Sequence, residues 1–279
     1  MSRLVVVTAT TNRERAQSCI ESWGQVQIVC VTNGTPSVAD GPAPVVDLTH
    51  ATYLGTVPAF RIGVDFALAH TDAEVIACLH DDVEIHDPAW AETVLRHFAR
   101  QPACGLAGFG GAIGLGDADI YQKPYDPMQL ARIGFRSNMT HAEAHGVRSL
   151  LSERVACLDG FSQIGRREFW EGDLADGYDD DRSVDFDNSG LARPWTYLES
   201  LGISHHLYDG LLGCLAARYG WETWYLPIAC HHFGGRTAVG DPNYQAWAAT
   251  QIEGGDHGFW QRAHEIGWKE FRDQLPLRV

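Results

Sequence analysis

Val75-Ile76-Ala77-Cys78-Leu79-His80-Asp81-Asp82 is the stretch on which the fold turns. A short unbroken apolar run that stops at polar residues reads as a strand buried on both faces. The same pattern recurs upstream. Leu4 to Val7 empties into Thr8-Ala9-Thr10-Thr11-Asn12, and Val26 to Val31 ends at Thr32-Asn33-Gly34-Thr35-Pro36. A shorter strand is expected at Val45-Val46. Between these runs lie helical patterns: Arg13 to Trp23, Val57 to Ala69 (Phe60, Val64, Leu68), and a segment carrying Trp90, Val94 and Phe98 with Pro88 in its first turn. Alternation of this kind predicts an α/β fold, a mostly parallel sheet with helices on both faces. Ligands of such sheets bind beyond the carboxyl ends of the strands. Thr8–Asn12, Asn33–Thr35 and His80–Asp82 therefore belong to one pocket edge.

The rest of the chain is less regular. Residues 105–116 carry six glycines, and 117–150 shows no clear pattern. A strand is expected over Leu151 to Leu158, a helix over Leu207 to Tyr219 ended by Gly220, and a strand from Trp224 to Ile228. Residues 171–188 are acidic and read either as a solvated loop or as a lid. The tail from Tyr244 to Trp268 reads as a helical extension. No repeat or linker divides the chain, so one domain is expected: 1–240 as the core, in halves 1–105 and 106–240, and 241–279 as the extension.

Composition narrows the function classes. Thirty-six acidic against 21 basic residues give a formal net charge of -15, which opposes general binding to nucleic acid or anionic membranes. The seven cysteines lack C-x-x-C spacing and lie mostly in apolar runs, as buried free thiols do in a reducing compartment. No long apolar run suggests a signal or a membrane span, so a cytoplasmic protein is expected.

Four places carry the chemistry. Adjacent Asp81 and Asp82 at a strand end suit a Mg²⁺ or Mn²⁺ site open to phosphate oxygens; alone, the pair is equally a turn. His231-His232, after another apolar strand, adds imidazole, which favours Mn²⁺. Asp209, behind Tyr208 at a helix start, is either a dipole-compensating residue or a general base. Asp159-Gly160-Phe161 is either a turn or a place where sugar hydroxyls meet a carboxylate.

In order, these segments resemble the family 2-type glycosyltransferases of GT-A fold. Val7-Thr8-Ala9-Thr10-Thr11-Asn12-Arg13 is similar to the opening motif, and Val31-Thr32-Asn33-Gly34-Thr35 to the second-strand motif. Ala59-Phe60-Arg61-Ile62-Gly63 matches the helix motif, and Leu79-His80-Asp81-Asp82-Val83 the metal motif. Leu158-Asp159-Gly160-Phe161, Arg166-Arg167-Glu168-Phe169, His206 to Leu215 and Cys230 to Gly235 match the acceptor half.

The resemblance implies a Rossmann-like GT-A domain with a C-terminal helical extension. The implied activity is metal-dependent transfer of a sugar from a nucleotide-diphosphate sugar, a UDP-sugar by analogy, to an acceptor hydroxyl. Asp82 and His231 would bind Mn²⁺ or Mg²⁺. Asp81 would hold ribose or diphosphate, and Thr8, Thr11, Asn33 and Arg61 would line the nucleotide pocket. Asp159, Gly160 and Tyr208 would meet sugar or acceptor, and Asp209 would act as base in an inverting transfer. The acceptor would be a saccharide or, for a phage enzyme, a hydroxymethylated DNA base. The chain departs from the pattern at Thr32, Asn33 and His80, where acidic residues are usual, at Thr11, where a stacking Tyr is usual, and at Tyr208, where many members carry Glu. A nucleotidyltransferase would carry a Gly- and Lys-bearing loop where Thr8–Asn12 stands. A non-catalytic sugar-binding protein of the same fold is the other alternative, and Asp209→Asn separates it: an enzyme should lose turnover but keep nucleotide binding.

Overall fold

A computed structural model describes residues 3–33, 45–115, 134–139, 147–175, 192–234 and 242–255, with residues 258, 261–262, 265–266 and 277–278 beyond them. In chain order the strands are β1 (Leu4–Thr10), β2 (Gln27–Asn33), β3 (Val45–His50), β4 (Val75–Leu79), β5 (Val83–Ile85), β6 (Cys104–Gly108), β7 (Gly110–Ala112), β8 (Gly114–Leu115), β9 (Phe135–Ser137), β10 (Val147–Arg148), β11 (Glu153–Val155), β12 (Cys157–Leu158), β13 (Ser162–Arg166), β14 (Glu222–Tyr225), β15 (Cys230–His232) and β16 (Leu277–Arg278). The helices are α1 (Arg13–Ser22), α2 (Thr56–His70), α3 (Trp90–Arg100), α4 (Arg167–Glu171), α5 (Pro194–Ser200), α6 (Tyr208–Arg218) and α7 (Pro242–Gln251).

The eight-stranded sheet runs β11-β14-β6-β13-β4-β1-β2-β3. β1, β2, β3 and β4 are mutually parallel, as the apolar runs predict, and β6 pairs parallel with β14. The sequence reading has no strand at β13, yet β13 lies at the centre, antiparallel to both β4 and β6. Its Ser-Gln-Ile-Gly-Arg sequence lacks an apolar run, and only its pairing on both sides buries it. The strand expected over 151–158 divides at Ala156. Glu153–Val155 joins the large sheet through β14, while Cys157–Leu158 joins a smaller sheet through β7. Pro88 precedes α3, because a turn closed by Trp90 N–H on Asp87 O (3.1 Å) leads into the helix.

β1 shows how the faces are assigned. Val7 points at α2, where Gly63 lets helix and strand close up; a Cβ there would stand 2.3 Å from Val7 Cγ1. Thr8 and Thr10 therefore point to the opposite face, and Thr10 meets α1 there. α2, α4 and α5 pack together on the Val7 face. The apolar cores of Trp23, Trp90, Trp170 and Trp195 are fully buried, and Trp23, Trp90 and Trp170 each donate to a backbone carbonyl. All seven cysteines are free and buried. α7 docks through a smaller cluster, with Tyr244 and Trp247 against Tyr53 and Tyr244 against His205. Among the described residues, no helix is long and apolar enough to cross a membrane.

Candidate metal and transfer site

The site grows from the turn between β4 and β5. His80, Asp81 and Asp82 fill that turn, and β15 returns antiparallel to β5 with His232 opposite Val83. Phe233 N–H donates to Asp82 O at 3.0 Å, which closes the corner. A strand alternates its side chains, so of the two histidines only one can reach Asp82. It is His232, with Nε2 3.3 Å from Asp82 Oδ1. The sequence reading placed His231 there. The structure pairs His231 with Glu84 in register and sets its ring against Phe233 instead.

His80 completes the group. Its Nδ1 lies 3.9 Å from Asp82 Oδ1, and its ring centroid 5.9 Å from that of His232. One ligand atom each from His80, Asp82 and His232 falls within 4.8 Å of the others, a set that can hold a metal ion. The sequence reading treated His80 as a departure from an acidic motif and gave it no ligand role. Its proximity to His232, about 150 residues away in the chain, was not legible there.

Electrostatics sharpen the picture. Burial pushes His80 down to about 4, so it is neutral at pH 7. Burial raises Asp82, but His232, His80 and Arg15 outweigh it and hold the carboxyl below the usual carboxylate range. Burial lowers His232, and the hydrogen bonding and charge of Asp82, with Asp159 and Asp81, reverse this and raise it. Asp82 Oδ1 is nonetheless buried without a well-aligned hydrogen bond. A buried, ionised oxygen left this way is expensive and fits a cation. Two imidazoles and one carboxylate suit Mn²⁺ better than Mg²⁺, which prefers oxygen.

Asp81 faces the other way. Its carboxylate takes Arg15 Nη2 at 2.8 and 2.9 Å and the Thr10 hydroxyl at 2.5 Å. Asn12 caps α1 by accepting from Arg15 N–H (3.0 Å), which places the arginine. Burial pushes Asp81 up to about 6 against the pull of Arg15. On Arg15 burial also opposes the charge, but the pairing wins and the guanidinium is raised. Asp81 was expected at ribose or diphosphate; its oxygens are instead engaged inside the fold. Arg15 escaped the sequence reading because its partner is 66 residues away.

The expected nucleotide residues divide in the same way. Asn33 Oδ1 accepts Leu54 N–H at 2.6 Å, tying the end of β2 to the approach to α2. Arg61 pairs with Glu199 of α5 and with Asp65 (3.2 Å). Thr8 is fully buried and Thr11 partly so, and both hydroxyls lack a hydrogen-bond partner.

The residues expected on the acceptor side lie close to the corner formed by His80, Asp82 and His232. Tyr208 Oη sits 2.6 Å from His80 Nε2 and donates to Gly160 O at 3.1 Å. Gly160 is required there, because a Cβ would stand 2.8 Å from that hydroxyl. Asp159 occupies the β12–β13 turn, where its Oδ1 accepts Phe161 N–H at 3.4 Å. Its charge raises both Asp209 and His232, so these groups share one electrostatic neighbourhood. Asp209 stands at the start of α6, two residues after Leu207, whose φ of 61° makes it the one non-glycine residue with positive φ among those described. Such a backbone costs about 1–2 kcal/mol, and here it aims the first turn that carries Tyr208 and Asp209. Burial, then Asp159, pushes Asp209 up to about 7, against backbone N–H donors of Gly210, Asp209 and Gly160. A carboxyl poised near 7 is suited to take a proton at neutral pH.

The Glycosyltransferase like family matches residues 56–195, which include β4, the His80–Asp82 turn, Asp159 and Gly160. Tyr208, Asp209 and His232 lie beyond the matched span. Among solved structures, A197 from STIV is similar at 11% identity and TM-score 0.43, over 84% of this chain and 87% of that one. The mannosyltransferase PcManGT from Pyrobaculum calidifontis, solved with GDP-Man and Mn²⁺, is similar at 14% identity and TM-score 0.43, over 95% of this chain and 69% of that one. No curated protein matches the sequence. With half the chain under the family model and a largely parallel α/β sheet, this chain belongs to the glycosyltransferase-like family and is a sugar-transferring enzyme.

Proposed function

We propose that the protein transfers a sugar from a nucleoside-diphosphate sugar to an acceptor hydroxyl, with His80, Asp82 and His232 holding a divalent ion and Asp209 acting as base. The observation that carries this reading is Asp82 Oδ1: a buried ionised oxygen without a well-aligned hydrogen bond, set between two imidazoles at a strand end. When bound, the ion would neutralise the departing diphosphate.

The chain's own residues supply the remaining steps. Asp209 takes the proton of the acceptor hydroxyl as its oxygen bonds to the anomeric carbon. The bond from that carbon to the diphosphate oxygen breaks, and the oxygen leaves with the bonding pair. A single displacement inverts the anomeric centre. Asp159, beside Asp209, disfavours a second negative charge and so keeps the base ready to hold a proton. Asp81 and Arg15 brace the turn instead of touching the donor.

Calorimetry with Mn²⁺, Mg²⁺ or a chelator, each with a nucleoside diphosphate, tests the ion. Mn²⁺ should tighten nucleotide binding, and equal affinity with chelator would reject the ligand set. A hydrolysis panel of nucleotide sugars tests the donor, with UDP-sugars implied by the sequence resemblance; turnover confined to another base would reject uridine.

A further inference from the structure

Tyr208, which the sequence resemblance puts at sugar or acceptor, also meets His80. Its hydroxyl lies between a histidine ring nitrogen and a backbone carbonyl. A tyrosine hydroxyl has one hydrogen. Gly160 O can only accept, at 3.1 Å, so the hydrogen points there. The Tyr208 oxygen must then accept from His80 Nε2, 2.6 Å away. A neutral imidazole carries one N–H and one lone pair, so the lone pair falls on Nδ1, the nitrogen 3.9 Å from Asp82 Oδ1.

We propose that Tyr208 is a positioning residue, which through Gly160 fixes the Nε2–H tautomer of His80 and turns the Nδ1 lone pair toward Asp82 and His232. This rests on the metal reading above, since a lone pair aimed at a carboxylate has use only if a cation comes between them. Three further features hold the geometry. The His80 ring stacks near Phe60, 14° from parallel at 6.2 Å. The His80 backbone N–H donates to Phe161 O at 3.0 Å. Gly160 leaves room for the hydroxyl, which a Cβ at that position would displace. The Tyr208 ring also packs on Trp195 and Phe60, so Tyr208→Phe removes the hydroxyl and keeps the packing.

The test uses the full chain in two measurements. Nitrogen-15 imidazole shifts of the metal-free protein at pH 7.5 should show His80 protonated on Nε2, and Tyr208→Phe should give a mixture of tautomers. Mn²⁺ titration should then show affinity falling ~10–100-fold in Tyr208→Phe, the usual effect of losing a group that orients a histidine ligand. A wild-type His80 protonated on Nδ1 overturns the proposal without any variant. So does a Tyr208→Phe protein that keeps both the wild-type tautomer and the wild-type Mn²⁺ affinity. Failure of the wild type to bind Mn²⁺ would reject the metal reading itself, and the tautomer spectrum alone then decides for or against the role of Tyr208.

Discussion

Asp81 and Asp82 are neighbours in sequence and equally hidden, 6% and 5% exposed, yet they belong to two regions built on opposite plans. On the inner side of the turn, both oxygens of Asp81 are engaged, by Arg15 and by the Thr10 hydroxyl. On the outer side, Asp82, Asp159 and Asp209 gather without an ion pair to any lysine or arginine among the described residues. On the reading proposed above, the outer side offers an ion the Asp82 carboxylate that His232 now holds, and offers an acceptor the Asp209 carboxyl, whose charge the fold disfavours. Neutralised carboxylates hold a protein together, whereas frustrated ones mark where it works.

The largest effect expected from this contrast is at Asp209. Asp209→Asn should lower turnover by ~10²–10⁴-fold, the usual worth of a general base. In the wild type the rate should rise with pH to half its plateau near 7, since only the ionised form accepts a proton. The folded-state value lies above the ordinary one, so between about pH 4 and 7 the native state holds the extra proton and stability falls as pH rises. Above pH 7 the full cost of the buried charge is present. Asp209→Asn should therefore melt higher than wild type at pH 8, by about 2–4 °C for each kcal/mol relieved. A variant that melts lower there would place Asp209 with the structural carboxylates.

Next comes the corner of His80, Asp82 and His232. Asp82→Asn and His232→Ala should each weaken Mn²⁺ binding by at least ~100-fold, the upper end of what mere supporting residues reach, with folding retained by circular dichroism. Unfolding of Asp82→Asn would move it to the inner side. Asp81→Asn should do the reverse. Leaving Arg15 buried without its partner should cost about 3 kcal/mol in urea unfolding at pH 7.5, while Mn²⁺ affinity stays near wild type. The smallest effect is expected at His231. His231→Ala should leave Mn²⁺ affinity unchanged in the same titration, and a loss matching that of His232→Ala would mean that β15 is shifted by one residue.

Much of the scaffold was legible because long apolar runs have few alternatives. β1, β2 and β4 show as strands from their apolar content, and α1, α2 and α6 from periodicity and, for α6, a closing glycine at φ 79°. The candidate site was legible as far as neighbours in sequence define it: the His80–Asp82 turn, Asp159-Gly160 and Tyr208-Asp209. β13 was hidden because Ser162 to Arg166 holds no apolar run, and only β4 and β6 on its two sides make it a buried strand. Asn33, Arg61 and Asp81 have the chemistry of nucleotide ligands, but Leu54, Glu199 and Arg15 engage them, and no local pattern records those partners.

The sequence by itself determined the α/β class, the strand-end position of the carboxylates and the presence of an imidazole pair at residues 231 and 232. Only the tertiary structure decided which imidazole meets Asp82, which carboxylate Arg15 claims and that His80 joins the group. The reason is physical. Propensity and periodicity act over a few residues, whereas the grouping of distant side chains depends on strand register, and a shift of one residue in β15 would exchange His231 for His232 beside Asp82.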